Sequence, residues 1–88
     1  MLDVIFSKKF EKQYLKLSKS TRLQFDIRYK IFLENPHADI LRNHALIGEY
    51  KGYYSINITG DVRALFALRG DKAIIFAFIG THSQLYKK

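Results

Sequence analysis

The fold is decided by residues 53–66, YYSINITGDVRALF, in which apolar and polar side chains alternate around a turn. Tyr54, Ile56 and Ile58 recur at every second position, which predicts a strand with one buried face. Thr59-Gly60-Asp61 has the composition of a turn, and the alternation resumes after it. The stretch therefore predicts a β-hairpin, and the register of that hairpin decides which side chains are buried.

The length of the turn fixes this register. A two-residue turn would place Arg63 on the buried face beside Ile58, and burying an unpaired guanidinium is costly. A three-residue turn pairs Ile58 with Val62 and sets Asn57 opposite Arg63 on the other face. We therefore predict the three-residue turn. One face then carries Ile56, Ile58, Val62, Ala64 and Phe66, and the other carries Ser55, Asn57 and Arg63.

The residues before the hairpin predict a strand followed by two helices. Leu2 to Phe6 alternates like a short strand, and a helix is expected from its cap Ser7 to about Leu17. After the break Ser18-Lys19-Ser20, a second helix is expected from Thr21 to about Glu34, and Asn35-Pro36 stops it. Because the connection between the helices is very short, they should pack antiparallel as a helix hairpin.

The remaining residues complete the sheet. Residues 37–52 show no periodicity and are expected to form a loop, and Gly70-Asp71 is expected to turn the chain into a final strand. That strand, Ala73 to Ile79, is apolar on both sides, so we place it inside the sheet. The prediction for residues 1–88 is a single α+β domain of order β-α-α-β-β-β. Both helices pack on one face of a small antiparallel sheet, and the opposite face is concave, polar and basic.

Composition limits the class of partner. The 88 residues carry a net charge of +7 with a pI near 9.8, which indicates an anionic partner, nucleic acid first and an acidic protein second. No apolar run is long enough to span a bilayer, so we expect a cytoplasmic protein without membrane contact. There is no cysteine, and scattered histidines and acids are weak evidence for a metal. We therefore predict no metal and no other cofactor.

The polar residues of the second half suggest RNA cleavage. RNA carries its own nucleophile, the 2′-hydroxyl, so a protein need supply only a base near it, a cation at the phosphate and an acid at the 5′-oxygen. Histidine suits both proton roles, and the planar guanidinium of arginine matches phosphate. The candidate residues are His44, Lys51, Asn57, Asp61, Arg63, His82 and Tyr86, with Lys87 and Lys88 as further RNA-binding positions.

The same residues also have ordinary structural explanations. Asp61 occupies a turn, where aspartate is common, and His44 in a loop could be idle. Arg63 could simply pair with Asp61 or Glu49 on the surface. Residues 80–88 could be an idle basic tail, as short tails often are. The residue types alone leave both interpretations open.

Three runs of the second half resemble the RelE/ParE toxin superfamily, and most closely its YafQ branch. They are residues 44–58, HALIGEYKGYYSINI; residues 60–66, GDVRALF; and residues 80–86, GTHSQLY. The runs occur in the family's order, whereas the first half of the chain agrees only in its strand and helix-hairpin order. The resemblance implies the fold that the residue pattern predicts, a helix hairpin on an antiparallel sheet.

The resemblance also implies an activity and a set of site residues. The best-known members are toxins of type II toxin–antitoxin pairs that cut mRNA in the ribosomal A site, need no metal and leave a 2′,3′-cyclic phosphate. By position, the catalytic residues of the YafQ branch fall on His44, Asp61, His82 and Tyr86, and the phosphate-binding arginine of the RelE branch falls on Arg63. We assign His82 as the acid and Asp61 or His44 as the base.

The chain departs from the YafQ branch at two positions. Asn57 stands where those toxins have a further histidine, and Ser55 stands where they have an acid. Because an amide cannot transfer protons, any proton role at position 57 is absent here or carried by another residue.

Two other functions stay open on the same fold. A ParE-like toxin would poison DNA gyrase without cutting mRNA, although Gly80-Thr81-His82 followed by Tyr86 speaks against it. A catalytically decayed relative would bind RNA with a steep salt dependence and cleave nothing. Under the leading hypothesis the partners are the ribosome, mRNA and a cognate antitoxin protein, with which the toxin forms a hetero-oligomer.

Overall fold

The computed structural model describes residues 3–86, so Lys87 and Lys88 lie outside the described part of the chain. The predicted α+β class is confirmed. In chain order the regular elements are strand β1 (Asp3–Phe6), helices α1 (Lys8–Leu15) and α2 (Lys19–Glu34), strands β2 (His44–Ala45), β3 (Tyr53–Asn57), β4 (Val62–Arg69) and β5 (Ala73–Thr81), and helix α3 (His82–Leu85). Two short 3₁₀ turns, Asp39–Leu41 and Gly48–Tyr50, lie before and after β2.

The strands form one sheet in the order β1-β5-β4-β3-β2. β5 lies between β1 and β4, as its apolar sequence predicts. The prediction of a wholly antiparallel sheet is wrong at one edge, because β1 pairs with β5 in parallel. Parallel neighbours require a long crossover, and here the crossover is the whole chain from α1 to β4. A second difference is β2, a two-residue edge strand within the segment expected to be a loop.

Serine caps set the starts of both long helices. The Ser7 hydroxyl accepts a hydrogen bond from the Phe10 N–H at 3.0 Å and donates one to the Ala77 carbonyl at 2.8 Å, which ties α1 to β5. The Ser18 hydroxyl accepts from the Thr21 N–H at 3.2 Å. Because Ser18 is the cap, α2 begins at Lys19, two residues earlier than expected.

The two helices cover one face of the sheet with an aromatic core. Phe32, whose side chain is 1% exposed, lies with its ring centroid 5.1 Å from that of Phe66 and 5.4 Å from that of Phe76. The five residues that the predicted register places on this face are all buried here, which confirms that assignment. They are Ile56, Ile58, Val62, Ala64 and Phe66.

The predicted register of the β3–β4 hairpin is also confirmed. Asn57 pairs with Arg63, and the Ile58 N–H donates to the Val62 carbonyl at 2.9 Å across the three-residue turn. One irregularity lies in β5, where Phe78 pairs with Leu65 but Phe76 pairs with the next residue of β4. Ala77 is thus an extra residue, and this bulge explains why β5 does not alternate.

The other face of the sheet is only partly polar. Leu65 of β4 and Leu85 of α3 are buried on it, α3 packs against β5, and Tyr50 of the 3₁₀ turn bonds to the Leu85 carbonyl. The Tyr50 ring lies 5.6 Å from that of Phe78. The expectation of a wholly polar and basic face is therefore wrong for this half, because the segments flanking β3 and following β5 fold back over the sheet.

Candidate active site

An open cleft of about 620 Å³ occupies the uncovered half of this face. It is called the central cleft below, and its lining residues come from the segment before β2, from three strands and from the C-terminal helix. They are Arg42, Asn43, His44, Ser55, Asn57, Arg63, His82 and Tyr86. Within the described residues this lining includes two arginines and two histidines but no carboxylate, so the cleft is suited to an anion.

The cleft brings together most of the residues that the sequence singles out. His44, Arg63, His82 and Tyr86 all line it, and so does Asn57. Two predicted residues do not. The Asp61 side chain is not among the lining groups, although its carbonyl accepts a hydrogen bond from the His82 N–H at 3.1 Å. Lys51 is exposed beyond the 3₁₀ turn that covers the apolar half of the face.

His44 is held by strand β2 and by a hydrogen bond to the backbone. Its Nδ1 lies 2.8 Å from the Arg42 carbonyl oxygen. A carbonyl only accepts hydrogen bonds, so Nδ1 carries the hydrogen and Nε2 is the free nitrogen of the neutral ring. β2 pairs His44 with Ser55 of β3, which holds the residue at the edge of the sheet beside the cleft. His44 can therefore accept a proton at Nε2.

His82 stands at the first position of α3, where two sets of contacts hold it. A capping box forms at the start of the helix. In it, the Thr81 hydroxyl accepts a hydrogen bond from the Gln84 N–H, and the Gln84 side-chain oxygen accepts one from the Thr81 N–H. The His82 ring packs against Tyr86, with 4.6 Å between centroids. The histidine is exposed to solvent on its other side and is free to meet a ligand.

Gly80 makes the capping box possible. A Cβ at this position would lie 2.9 Å from the Gln84 side-chain oxygen, closer than real Cβ contacts allow. Gly80 also pairs with Arg63 across β4 and β5, so no side chain stands beside the arginine on that strand. Because Gly80 has no side chain, it leaves room both for the capping box of α3 and for the Arg63 side chain.

Tyr86 closes the end of the cleft and is itself held by Tyr50. The Tyr50 hydroxyl donates to the Leu85 carbonyl at 2.7 Å, and the two tyrosine rings meet edge to face at 5.5 Å. Burial raises the pKa of Tyr86, the neighbouring Tyr50 adds to this, and the positive charge of Arg63 opposes it. The pKa stays above its ordinary value near 10, so the phenol is neutral at physiological pH.

Arg63 is oriented by the hairpin turn that precedes it. Its Nη1 lies within hydrogen-bonding distance of the Thr59, Gly60 and Val62 carbonyls, at 3.1, 3.2 and 3.3 Å. A guanidinium has five N–H groups in a planar fork, so anchoring one nitrogen leaves donors for a ligand. The turn therefore holds the cation in place beside the cleft.

Ser55, Arg42 and Asn43 are lining residues that the site prediction missed. Ser55 is 1% exposed, and its hydroxyl has no hydrogen-bond partner within residues 3–86. The predicted register already placed Ser55 on this face, which was the available signal. Arg42 and Asn43 lie in a segment without periodicity, so only the tertiary structure brings them to the cleft.

The part of the chain that the structure describes offers neither a metal-binding cluster nor a membrane-spanning helix. No group of three or more histidine, cysteine or acidic side chains in residues 3–86 is arranged to hold a metal ion. Over the same range, every helix is too short or too polar to cross a membrane.

Comparison with known proteins establishes the family. The sequence profile described as the bacterial toxin of type II toxin-antitoxin system, YafQ, matches residues 2–87. The chain therefore belongs to the YafQ family of type II toxins, as the resemblance in the sequence indicated. No curated protein matches the chain by sequence.

Solved structures show the same fold. YafQ from Escherichia coli strain BL21(DE3) is 23% identical with a TM-score of 0.80, covering 98% of this chain and 99% of that one. The YoeB/ParE toxin from Agrobacterium tumefaciens is 15% identical with a TM-score of 0.75, covering 92% and 99%. A chain of the E. coli DinJ-YafQ toxin-antitoxin complex is 23% identical with a TM-score of 0.70, covering 97% of this chain and 97% of that one.

Proposed function

We propose that this toxin is a ribosome-dependent endoribonuclease that cuts mRNA in the A site without a metal ion. The observation that carries the proposal is the central cleft, where His44, Arg63, His82 and Tyr86 from separate segments surround one open space. Two proton-transfer groups and a fixed cation are the set that cleavage through the 2′-hydroxyl requires.

The proposed reaction uses the RNA's own nucleophile. His44 accepts the 2′-hydroxyl proton at Nε2, and the 2′-oxygen forms a bond to the adjacent phosphorus. The bond from phosphorus to the 5′-oxygen breaks, and His82 donates a proton to that leaving oxygen. Arg63 stabilises the negative charge on the phosphorane oxygens. The products are a 2′,3′-cyclic phosphate and a free 5′-hydroxyl.

The structure favours His44 over Asp61 as the base. The His44 ring lines the cleft and its Nδ1 hydrogen bond leaves Nε2 free, whereas the Asp61 side chain lies outside the lining. The role proposed for Asp61 is to position His82 through its carbonyl. Tyr86 supports the His82 ring and offers an aromatic surface to an RNA base.

The openness of the cleft supports dependence on the ribosome. The lining supplies groups for the chemistry, but the cleft is open to solvent, so an additional surface would help to hold an RNA strand in the reactive geometry. A ribosome holds mRNA in the A site in a fixed conformation and can supply that positioning. The net charge of +7 favours docking on ribosomal RNA. This activity places the toxin in the cytoplasm.

We also propose an antitoxin partner with which the toxin forms a hetero-oligomer. The structural relative from E. coli is a toxin-antitoxin complex. On the outer side of α2, Leu23, Ile27 and Leu33 are 60, 50 and 54% exposed, an apolar stripe that a partner segment could cover. An acidic, amphipathic antitoxin segment would match both this stripe and the basic charge.

The decisive experiment adds purified toxin to a translating system and maps the new 5′ ends of the mRNA. Wild type should cut within codons in the A site, and His82→Ala should lower the rate about 10²–10⁴-fold because one proton-transfer group is lost. His37→Ala, an exposed histidine outside the central cleft, is the matched control and should cut normally.

Folded wild-type protein that cuts no message would contradict the proposal. DNA breaks trapped with gyrase under those conditions would instead identify a ParE-like activity.

A further inference from the structure

A second cleft, of about 440 Å³, opens beside the central cleft. It is called the side cleft below, and it is lined by Arg28, Asp39, Ile40, Arg42, Asn57, Thr59 and Gly60. Arg42 and Asn57 belong to the linings of both clefts. The two clefts are therefore neighbours that share part of their lining.

Arg42, at the junction of the two clefts, has an unusual backbone conformation. Its φ is 48°, and it is the one non-glycine residue with a positive φ in the described part of the chain. The Arg42 N–H donates to the Asp39 carbonyl at 3.1 Å and closes the 3₁₀ turn. Such a conformation is unfavourable for a side chain with a Cβ, and it is concentrated at functional sites.

Arg28 lines the side cleft and donates hydrogen bonds to residues on two of its sides. Its Nη1 donates to the Ile40 carbonyl at 3.1 Å and to the Asn57 carbonyl at 3.0 Å. This arginine on α2 therefore ties the 3₁₀ turn before Arg42 to strand β3. These charge-assisted hydrogen bonds from a half-buried cation hold the two sides of the side cleft together.

The two clefts differ in chemistry. Among the described residues, the central cleft has no carboxylate, whereas the side cleft combines Asp39 with Arg28 and Arg42. A phosphate group offers only acceptors and would be repelled by Asp39. The edge of a nucleobase offers N–H donors beside acceptors, so it matches a carboxylate next to a guanidinium.

We propose that the side cleft binds the base of a nucleotide next to the cleavage position. Asp39 accepts a hydrogen bond from an amino or imino N–H of that base. Arg42 contacts the phosphate between this nucleotide and the one in the central cleft. The inference rests on the proposed endoribonuclease function, and it assigns to Asp39 a role in choosing the sequence that is cut.

Binding of RNA that cannot be cut tests the inference separately from catalysis. The probes are 2′-O-methyl hexanucleotides of adenosine, cytidine and uridine, whose bases present different N–H groups. Wild type should distinguish the strongest from the weakest by about five-fold or more. Asp39→Asn keeps the shape of the side chain but changes its hydrogen bonding, and it should reduce this ratio to below two-fold.

The controls separate base recognition from phosphate contact. Asp71→Asn, an exposed aspartate in the β4–β5 turn, should keep the wild-type ratio. Arg42→Gln should weaken all three probes alike and reduce the salt slope by about one, as expected for one lost phosphate contact. An unchanged ratio in Asp39→Asn would overturn the inference, and so would equal affinity of wild type for the three probes.

Mapping of cleavage sites adds a second readout. If wild type cuts mRNA, Asp39→Asn should change the base frequency at one fixed position beside the cut, while Asp71→Asn should not. A uniform loss of rate without a change in base frequency would overturn the inference and leave the proposed endoribonuclease intact. If wild type does not cut, the endoribonuclease proposal fails, whereas the hexanucleotide ratios still decide whether the side cleft reads a base.

Discussion

The two faces of the sheet are built from the same strands but are held together differently. On the helix-covered face, Phe32, Phe66 and Phe76 pack ring against ring without polar partners. On the open face, His44 and Arg63 are held by backbone carbonyls. Apolar packing excludes water from the core. Hydrogen bonds to the backbone, in contrast, can hold a polar side chain at a solvent-exposed cleft. The helix-covered face thus supplies most of the stability, and the central cleft on the other face supplies the groups for the proposed chemistry.

The largest expected effect is on the covered face. Phe32→Ala removes a ring that is 1% exposed and leaves a cavity between α2 and the sheet, so the free energy of unfolding should fall by about 3–5 kcal/mol. Leu23→Ala, on the exposed side of the same helix, is the control and should change it by less than about 0.5 kcal/mol. Urea denaturation measures both. Similar losses in the two variants would contradict the division between the faces.

The next effect tests how precisely the open face holds His82. Gly80→Ala should shift the flexible end of the Gln84 side chain and weaken the capping box, costing about 1 kcal/mol of stability and lowering the cleavage rate by no more than about ten-fold. Gly60→Ala is the matched control, because an added Cβ there meets no atom within 4 Å. Cleavage mapping and urea denaturation are the measurements. A fully active Gly80→Ala variant would show that the helix start does not position His82.

A smaller effect, of opposite sign, is expected at Ser55. Its buried hydroxyl has no partner in the described part of the chain, so Ser55→Ala should raise the free energy of unfolding by about 1 kcal/mol. Ser83→Ala, at an exposed position, should leave it unchanged within about 0.5 kcal/mol. Chemical denaturation compares the two. A destabilised Ser55→Ala protein would mean that the hydroxyl is satisfied in solution.

The smallest expected effect is a loss of folding stability at high pH. Burial raises the pKa of Tyr86 in the folded protein, so the unfolded chain ionises first and stability falls as the pH rises above about 10. Tyr86→Phe removes this contribution, so its stability should decline less steeply than that of wild type. Urea denaturation between pH 8 and about 11 tests this. Parallel curves for the two proteins would contradict the assignment.

The fold could be predicted at positions where the alternative local arrangement would cost much free energy. The hairpin register follows from the cost of burying Arg63, and the structure confirms the pairing of Asn57 with Arg63. The parallel pairing of β1 with β5 could not be derived in this way. It depends on where the chain returns after a long crossover, and no short-range pattern encodes that position.

The types of residue at the candidate site could be predicted from the sequence, but the positions of their side chains in the structure could not. His44, Arg63, His82 and Tyr86 meet in one cleft because β2, β4 and α3 converge there. The side chain of Asp61 is absent from the lining, as no sequence pattern specified where a turn residue points. Arg42 has no periodic or compositional signal, and only the tertiary structure reveals its backbone conformation and its place in the linings of both clefts.

The position of β5 in the middle of the sheet has a consequence for the order of folding. Ser7 at the start of α1 bonds to Ala77, a residue 70 positions further along the chain. β1 and the helix hairpin therefore lack their main packing surface until β5 is available, and such long-range closure is slow. During synthesis the nascent chain should stay unfolded until about residue 81 has emerged. We therefore expect the fold, and with it the central cleft, to form only after β5 has been synthesised.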